Sequence, residues 1–404
     1  MKILVVVSEF PKVTETFAYR NLVAYGRLGH DPWLFHVKTR RRDMDVHEFF
    51  RPLEPKAFGY AWLGSTALAA LLGECARAPL AMATLIGQLA RAHWREPKRG
   101  LAVAALFPKS VALGRWCRRT GVDHIHGEFA GHPATSAMIA SRVAGLPYSF
   151  TAHANDIFIS QAMLVEKAAR ARFVRSISRF NIRYLSRLPG FPEGKLRLIR
   201  CGVNADEIDA VPPERLETDG LRILYVGSLI EKKGVWHLLD ALSHLPSDMD
   251  WTARIVGGGD LANDLARRAA YLGLADRVRF EGPQTAAHVA VHHRWAHVLV
   301  VPSVVGTAGR VEGIPVVLME AMARGRAVIA SDLSGIPELV EDGVTGWLVR
   351  PGDHEAIARA LEGISGDWPK ARRIALRGQD RIRAEYEVSR NAAELVAAMR
   401  GEAT

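Results

Sequence analysis

The sequence predicts an α/β protein made of two doubly wound parallel-sheet halves. Short apolar runs alternate with stretches of helical period along nearly the whole chain, which is the pattern of successive β-α-β units. The pattern begins twice, at MKILVVVSEF and again at LRILYVGSLI. A chain of 404 residues also exceeds one ordinary core, so two domains of about 200 residues are expected. The boundaries that follow are a first domain over 1–205, a linker over 206–220 with Pro212 and Pro213, a second domain over 221–380, and a C-terminal helix over 381–404 that crosses back to the first domain.

In the first half, ILVVV is a buried strand, Thr14 to Leu28 a helix and WLFHV the next strand. The intervening loop SEFPKVTETF lies at the carboxyl end of a strand, where open α/β sheets bind ligands. Thr14 is a candidate N-cap, and the amides of Thr14, Glu15 and Thr16 could hold an anion, although capping alone also explains the threonine. HIH (124–126) and YSFTAH (148–153) are strand-like around a helix from Ala134 to Ala144. His124, His126 and His132 lack the paired spacing of a zinc motif. His153 is different, because it ends a strand and faces a loop, where an imidazole can supply a polar contact or a proton.

Residues 61–120 combine apolar helical stretches with clustered bases and with Trp62, Trp94 and Trp116. Basic helices with an opposite Trp/Leu face suit membrane-surface docking, and core helices with a solvated basic face fit equally. Charge is uneven: residues 1–210 hold 30 Lys/Arg against 17 Asp/Glu, while 211–404 hold 23 against 26. A one-sided basic surface points to an anionic partner. Nucleic acid fits poorly, since tryptophans in apolar helices are not stacking positions among the bases. The three cysteines match no metal or disulfide spacing, no apolar run reaches the roughly 18 residues of a membrane span, and the N-terminal apolar run is too short for a secretion signal. A cytoplasmic setting is expected.

In the second half, Lys232 and Lys233 precede Gly234 at a helix entrance, a good place for a pyrophosphate. WTARIVGGGD lacks a spaced dinucleotide fingerprint. The segment from Arg310 to Pro351 carries the densest chemistry. Glu312 sits in a Gly-rich loop, Gly313, Ile314 and Pro315 open a helix over Ile314 to Arg324 that bears Glu320, Gly325 closes it, and Ala327 to Ser331 is a buried strand. SGIPE then opens another helix.

EGIPVVLMEAMARG followed by SGIPELVEDGVTGWLV resembles the donor-site signature of GT-B glycosyltransferases of family 4, whose mark is two Glu separated by seven residues, as Glu312 and Glu320 are. SEFPKVTETF, HIHGEFAGHPAT, SFTAHANDIF and IRCGVN look like the bacterial exopolysaccharide branch, of the colanic-acid type. The resemblance implies two Rossmann-like domains facing across a cleft and retaining, metal-independent hexosyl transfer. The nucleotide-diphosphate-sugar donor is a substrate, with no cofactor; the acceptor is a saccharide, lipid-linked, at the cytoplasmic face of the membrane. It implies that Glu312 meets the donor hexose, Glu320 the ribose hydroxyls, the amides of Gly313 and Ile314 the pyrophosphate, Lys233 the leaving-group charge, His153 the donor sugar, and Pro283 and Gln284 the base. The family usually has Arg after the glycine of the YVG strand, where this chain has Ser228; charge neutralisation then rests on Lys233 or on an arginine such as Arg310. A soluble-acceptor transferase, a nucleotide-sugar epimerase and a non-catalytic sugar binder are the alternatives.

Overall fold

The computed structural model describes the chain except residues 13–14, 41–47, 63, 159–160, 210–213, 216–218 and 403–404. It divides into two compact units, one of Met1–Ile199 with Ser389–Thr404 and one of Arg200–Val388. The change of unit thus falls just before the 205 boundary expected from sequence, because residues 200–209 are already tied to the second unit, as by the bond from Asp209 N–H to the Ala323 carbonyl.

The first unit is a seven-stranded parallel sheet. Its strands are β1 (Lys2–Val7), β2 (Asp31–His36), β3 (Ala57–Phe58), β4 (His124–Gly127), β5 (Tyr148–Ala152), β6 (Val174–Ser176) and β7 (Leu196–Leu198), in the order β3-β2-β1-β4-β5-β6-β7. All adjacent pairs are parallel. The near-continuous apolar strands are covered on both faces, as parallel sheets must be. The covering helices begin with α1 (Thr16–Arg27), α2 (Ser65–Arg77), α3 (Pro79–His93), α4 (Pro97–Thr120) and α5 (His132–Ala144). They continue with α6 (Ala154–Phe158), α7 (Leu164–Arg170) and α8 (Arg179–Ser186). Helices α4 and α5 approach so closely at Gly114 that an added Cβ would stand 2.7 Å from the Ala140 carbonyl oxygen. Helix α1 starts at Thr16 with Glu15 in the cap position, later than the expected start at Thr14, which lies outside the described residues.

The basic 61–120 region is three helices, but its tryptophans do not share one face. Trp116 packs on Phe58 and Trp33, at centroid distances of 4.5 and 5.3 Å, and Trp62 lies over the buried Lys109 ammonium at 4.2 Å. Only Trp94 of the three is exposed. Arg115 and Arg118 are likewise structural, donating to the carbonyls of Ala70 and Val143. The outward-facing part is narrower than the sequence suggests, because α4 buries its C-terminal half against the sheet.

The second unit is a six-stranded parallel sheet of β8 (Leu221–Val226), β9 (Trp251–Val256), β10 (Val278–Gly282), β11 (Val298–Val301), β12 (Ala327–Ser331) and β13 (Trp347–Val349), in the order β10-β9-β8-β11-β12-β13. Helices α9 (Val235–Ser243), α10 (Ala262–Tyr271), α11 (Ala286–Trp295), α12 (Val316–Ala323), α13 (His354–Gly366) and α14 (Trp368–Glu385) cover it. Helix α12 is shorter than expected because Pro315 is the cap residue, with extended ψ of 127°, and cannot be the second residue of a helix begun at Ile314. The IPE of SGIPE forms one 3₁₀ turn (Ile336–Glu338) in place of the expected helix, since the chain turns at Gly343 and must enter β13 four residues later. The tail is also two pieces. Residues 381–385 end α14, Tyr386 is buried and accepts the Val203 amide through its carbonyl, and α15 (Val388–Arg400) follows. Arg172 of the first unit donates to the Met399 carbonyl at 2.5 Å.

Candidate active site

In the second unit the strand order reverses between β8 and β11, and the crevice outside the carboxyl ends at such a point is where open α/β sheets take ligands. The loops there are braced by backbone contact. Leu229 N–H donates to the Gly258 carbonyl, Val304 N–H to that of Lys232, and Gly257 N–H to that of Gly282. Gly234 has φ +64°, and a Cβ there would lie 1.9 Å from the Pro302 carbonyl oxygen. Any other residue would push the Glu231–Lys233 turn away from the end of β11.

That turn aims two lysines at one carboxylate. Lys233 Nζ donates to Glu312 Oε2 at 3.0 Å, and Lys232 Nζ stands 2.6 Å from Oε1 as an ion pair outside hydrogen-bond alignment. Glu312 is 9% exposed. Burial alone would raise its carboxyl pKa, but the ammonium groups of Lys233 and Lys232 outweigh burial and hold it below the ordinary range. Two cations against one anion leave one positive charge in excess, directly before the amides that open α12. Ser334, in the left-handed region at φ +52°, donates its hydroxyl to the Glu312 carbonyl and, at 3.2 Å, to that of Gly313. The SGIPE loop thereby fixes the EGIP loop.

The other residues singled out in this unit lie as follows. Ile314 is buried and Pro315 caps α12. Ser228 is half-buried, its carbonyl accepting from Tyr225 Oη at 3.0 Å. Pro283 packs over Gly258, and Gln284 Nε2 donates to the Glu281 carbonyl at 2.7 Å. Glu320 is half-buried on α12 with Oε2 3.7 Å from Nε2 of the buried His293. Arg310 is exposed and its charge acts on Glu231; the second cation beside Glu312 is Lys232.

The first unit has its own reversal point, between β1 and β4. Glu128 follows β4 and is 1% exposed. His153 Nε2 lies 3.3 Å from its Oε1, Arg175 3.7 Å from the same oxygen, and His126 Nε2 3.6 Å from Oε2. Burial would raise the Glu128 carboxyl, yet His153, Arg175 and His126 bring it down to about 2. Burial pushes His126 down to about 4, and its ring bonds Ser149 and Thr151 hydroxyls at 2.7 and 2.8 Å. His124 shares the Ser149 hydroxyl at 2.8 Å, while His132 is exposed at the start of α5. The His153 ring is flanked by Phe17 and Phe129 at 4.7 and 4.9 Å. Glu15 is buried beside this group, paired with Lys12 at 2.6 Å, its carboxyl raised by burial; Thr16 is half-buried.

Sequence reasoning passed over Glu128 and Ser334 as site residues, and it named Lys232 beside Lys233 at the helix entrance but gave the leaving-group charge to Lys233. A carboxylate directly after the buried strand HIHG was the available signal for Glu128. Nothing in the sequence tells which of two adjacent lysines turns inward, and both do.

Two Rossmann-like parallel-sheet units of seven and six strands define the GT-B architecture. The solved structure of Anabaena HepE in complex with UDP superposes with a TM-score of 0.75 over 99% of this chain and 100% of that one, at 19% identity. Residues 207–381 match the family Glycosyl transferases group 1, so this chain carries a domain of that family. Amylovoran biosynthesis glycosyltransferase AmsK of Erwinia amylovora is 34% identical over 49% of this chain and 48% of its own length. The putative colanic acid biosynthesis glycosyltransferase WcaL of Escherichia coli is 33% identical over 52% and 53%. The chain spans about half the length of these curated relatives.

Proposed function

We propose that this protein is a retaining, metal-independent glycosyltransferase of exopolysaccharide or cell-surface polysaccharide synthesis. It would move a hexose from a nucleoside diphosphate to a lipid-linked saccharide. The observation that carries the proposal is the Lys232–Glu312–Lys233 cluster at the entrance of α12, a carboxylate held ionised between two ammonium groups.

In the reaction, the bond from the sugar C1 to the diphosphate oxygen breaks and the acceptor hydroxyl oxygen bonds C1 on the same face. The hydroxyl proton passes to the leaving phosphate, so a nucleoside diphosphate departs. Negative charge grows on the diphosphate as the bond lengthens. Lys233, Lys232 and the α12 amides are fixed in advance where that charge develops, which is the arrangement that lowers a barrier most. Glu312 keeps the lysines in place and offers an anion to the cationic sugar carbon. With two ammonium groups and a helix end in this role, the chemistry needs no divalent cation. Glu320 is assigned to the ribose, Pro283 and Gln284 to the base, and His153 to the sugar; the loop of Glu15 and Thr16 is assigned to the acceptor or to a phosphate.

Anionic membrane docking at the cytoplasmic face completes the reading. Leu68, Leu72, Leu80, Ile86 and Leu101 on three consecutive helices, and Trp94 just after the second of them, are all at least 40% exposed, a concentration that single scattered apolar residues do not produce. Arg91, Arg95 and Lys98 are exposed among them. Among the described residues no single helix is long and apolar enough to cross a membrane; α2 and α3 together reach the length but are bent by 117°.

Incubation with UDP- and GDP-hexoses should release nucleoside diphosphate only when a saccharide acceptor is present, with the donor's anomeric configuration kept in the product. Release without acceptor, or an inverted product, overturns the reading. Liposome flotation without preference for anionic vesicles removes the membrane part.

A further inference from the structure

Between α3, α5 and α7 lies a groove of about 390 Å³, within the size range of ligand sites. Its floor is Leu85 and Leu89 of α3, Met138 of α5, and Met163 just before α7. Met163 has φ +55°, a conformation costly for a non-glycine residue, and its side chain contributes to this wall. Two flexible thioethers can fit an irregular apolar chain. The rim is polar, with Gln88, Arg91, Glu166 and Arg170. Gln88 Oε1 is buried without a hydrogen-bond partner, and a buried polar atom left so calls for one. Among the described residues neither Arg91 nor Arg170 is ion-paired.

An apolar floor beneath two unpaired guanidinium groups is complementary to one kind of molecule, an apolar chain ending in a phosphate. Two positions on the same structure support that occupant. Helix α3, which lines the groove, also carries the exposed Leu80 and Ile86, so apolar surface lies on the same helix. Helix α7, whose residues 166 and 170 line the groove, places Lys167 on the Ala130 carbonyl, and Asp156 accepts the Ala130 amide; this is the loop that follows Glu128.

We propose that this groove seats the lipid chain of the acceptor, with the lipid phosphate on Arg91 and Arg170, so that the attached saccharide extends along α7 toward Glu128 and His153. The inference rests on the lipid-linked acceptor proposed above and adds a subsite to it.

The test uses the full chain with methionine methyls labelled for NMR and dodecyl phosphate below its micelle concentration. The Met138 and Met163 methyl signals are expected to shift saturably, and Arg91→Ala/Arg170→Ala to weaken binding at least tenfold with the melting temperature unchanged. Dodecyl maltoside, which has the chain without the phosphate, should bind at least tenfold more weakly, and inorganic phosphate should leave both methyls unmoved. Leu72→Ser/Leu80→Ser, on the outer surface, should leave dodecyl phosphate affinity unchanged. Unshifted Met138 and Met163 methyls overturn the proposal. So does equal affinity for the maltoside, or binding lost on Leu72→Ser/Leu80→Ser and kept in the arginine double variant. A parallel titration with UDP- and GDP-hexoses separates the two readings: nucleotide-sugar binding without dodecyl phosphate binding sinks the groove alone and leaves the transferase standing.

Discussion

Both units hold a carboxylate among cations at the reversal point of a parallel sheet, and they hold it for different purposes. Glu128 is 1% exposed, with Arg175 and two histidines around it, and its carboxyl is down to about 2. Glu312 is 9% exposed, and its lysine partners are 13% and 16% exposed on a neighbouring loop. A fully enclosed pair resists exchange, so Glu128 is a positioning residue that fixes His153. A pair at the surface of a crevice can be competed for by an arriving diphosphate. The same chemistry thus gives rigidity in one unit and, under the proposed function, ligand exchange in the other.

The comparison can be broken by substitution. Glu312→Ala should lower kcat by about two to three orders of magnitude, the usual loss when one preorganised electrostatic group is removed, with secondary structure intact by circular dichroism. A fall below threefold would return Glu312 to a merely structural role. Glu128→Ala should act mainly on stability. It removes the carboxylate 3.7 Å from the buried Arg175, and breaking such a pair costs about 3 kcal/mol in chemical denaturation. An effect confined to activity would reverse the assignment.

Lys232→Ala and Lys233→Ala should each weaken UDP or GDP binding by about tenfold in calorimetry, as for one charged hydrogen bond. An effect of Lys233 alone would make Lys232 a bystander. Acid should separate the units further. The Glu128 pKa is depressed from 4.5 to about 2 on folding, so its stabilisation is present above pH 4.5 and is lost as pH falls from there through 2. Glu128→Gln should flatten the stability profile of the first unit in that window. The smallest effect is expected from Ser334→Ala, about 1 kcal/mol for its lost hydroxyl bonds, read as a severalfold rise in donor KM.

Much of this was legible because it is local. The strands announce themselves as VVV, IVG or VIAS runs, and a parallel sheet buries both faces, so no register had to be guessed to find them. The EGIP loop, Glu312 and Lys233 could be singled out because glycine, proline and charge mark the ends of strands and helices. Boundaries were less readable. Ile314 looks helical by pattern, but the residue before proline is pushed to extended backbone, so α12 starts at Val316. The SGIPE helix was misjudged because periodicity does not reveal that the chain turns at Gly343.

By itself the sequence determined the two-sheet architecture, the basic first half, and the carboxylates and lysines of the second. Alternation and composition are properties of neighbouring residues, and they survive without a fold. Only the tertiary structure decided that Lys232 joins Lys233 on Glu312, that Glu128 holds His153, that Trp116 is core while Trp94 is surface, and that Leu85, Met138 and Met163 line one groove. Each of those pairings joins residues from separate elements. Their charge and burial depend on distances that sheet closure sets and sequence spacing does not.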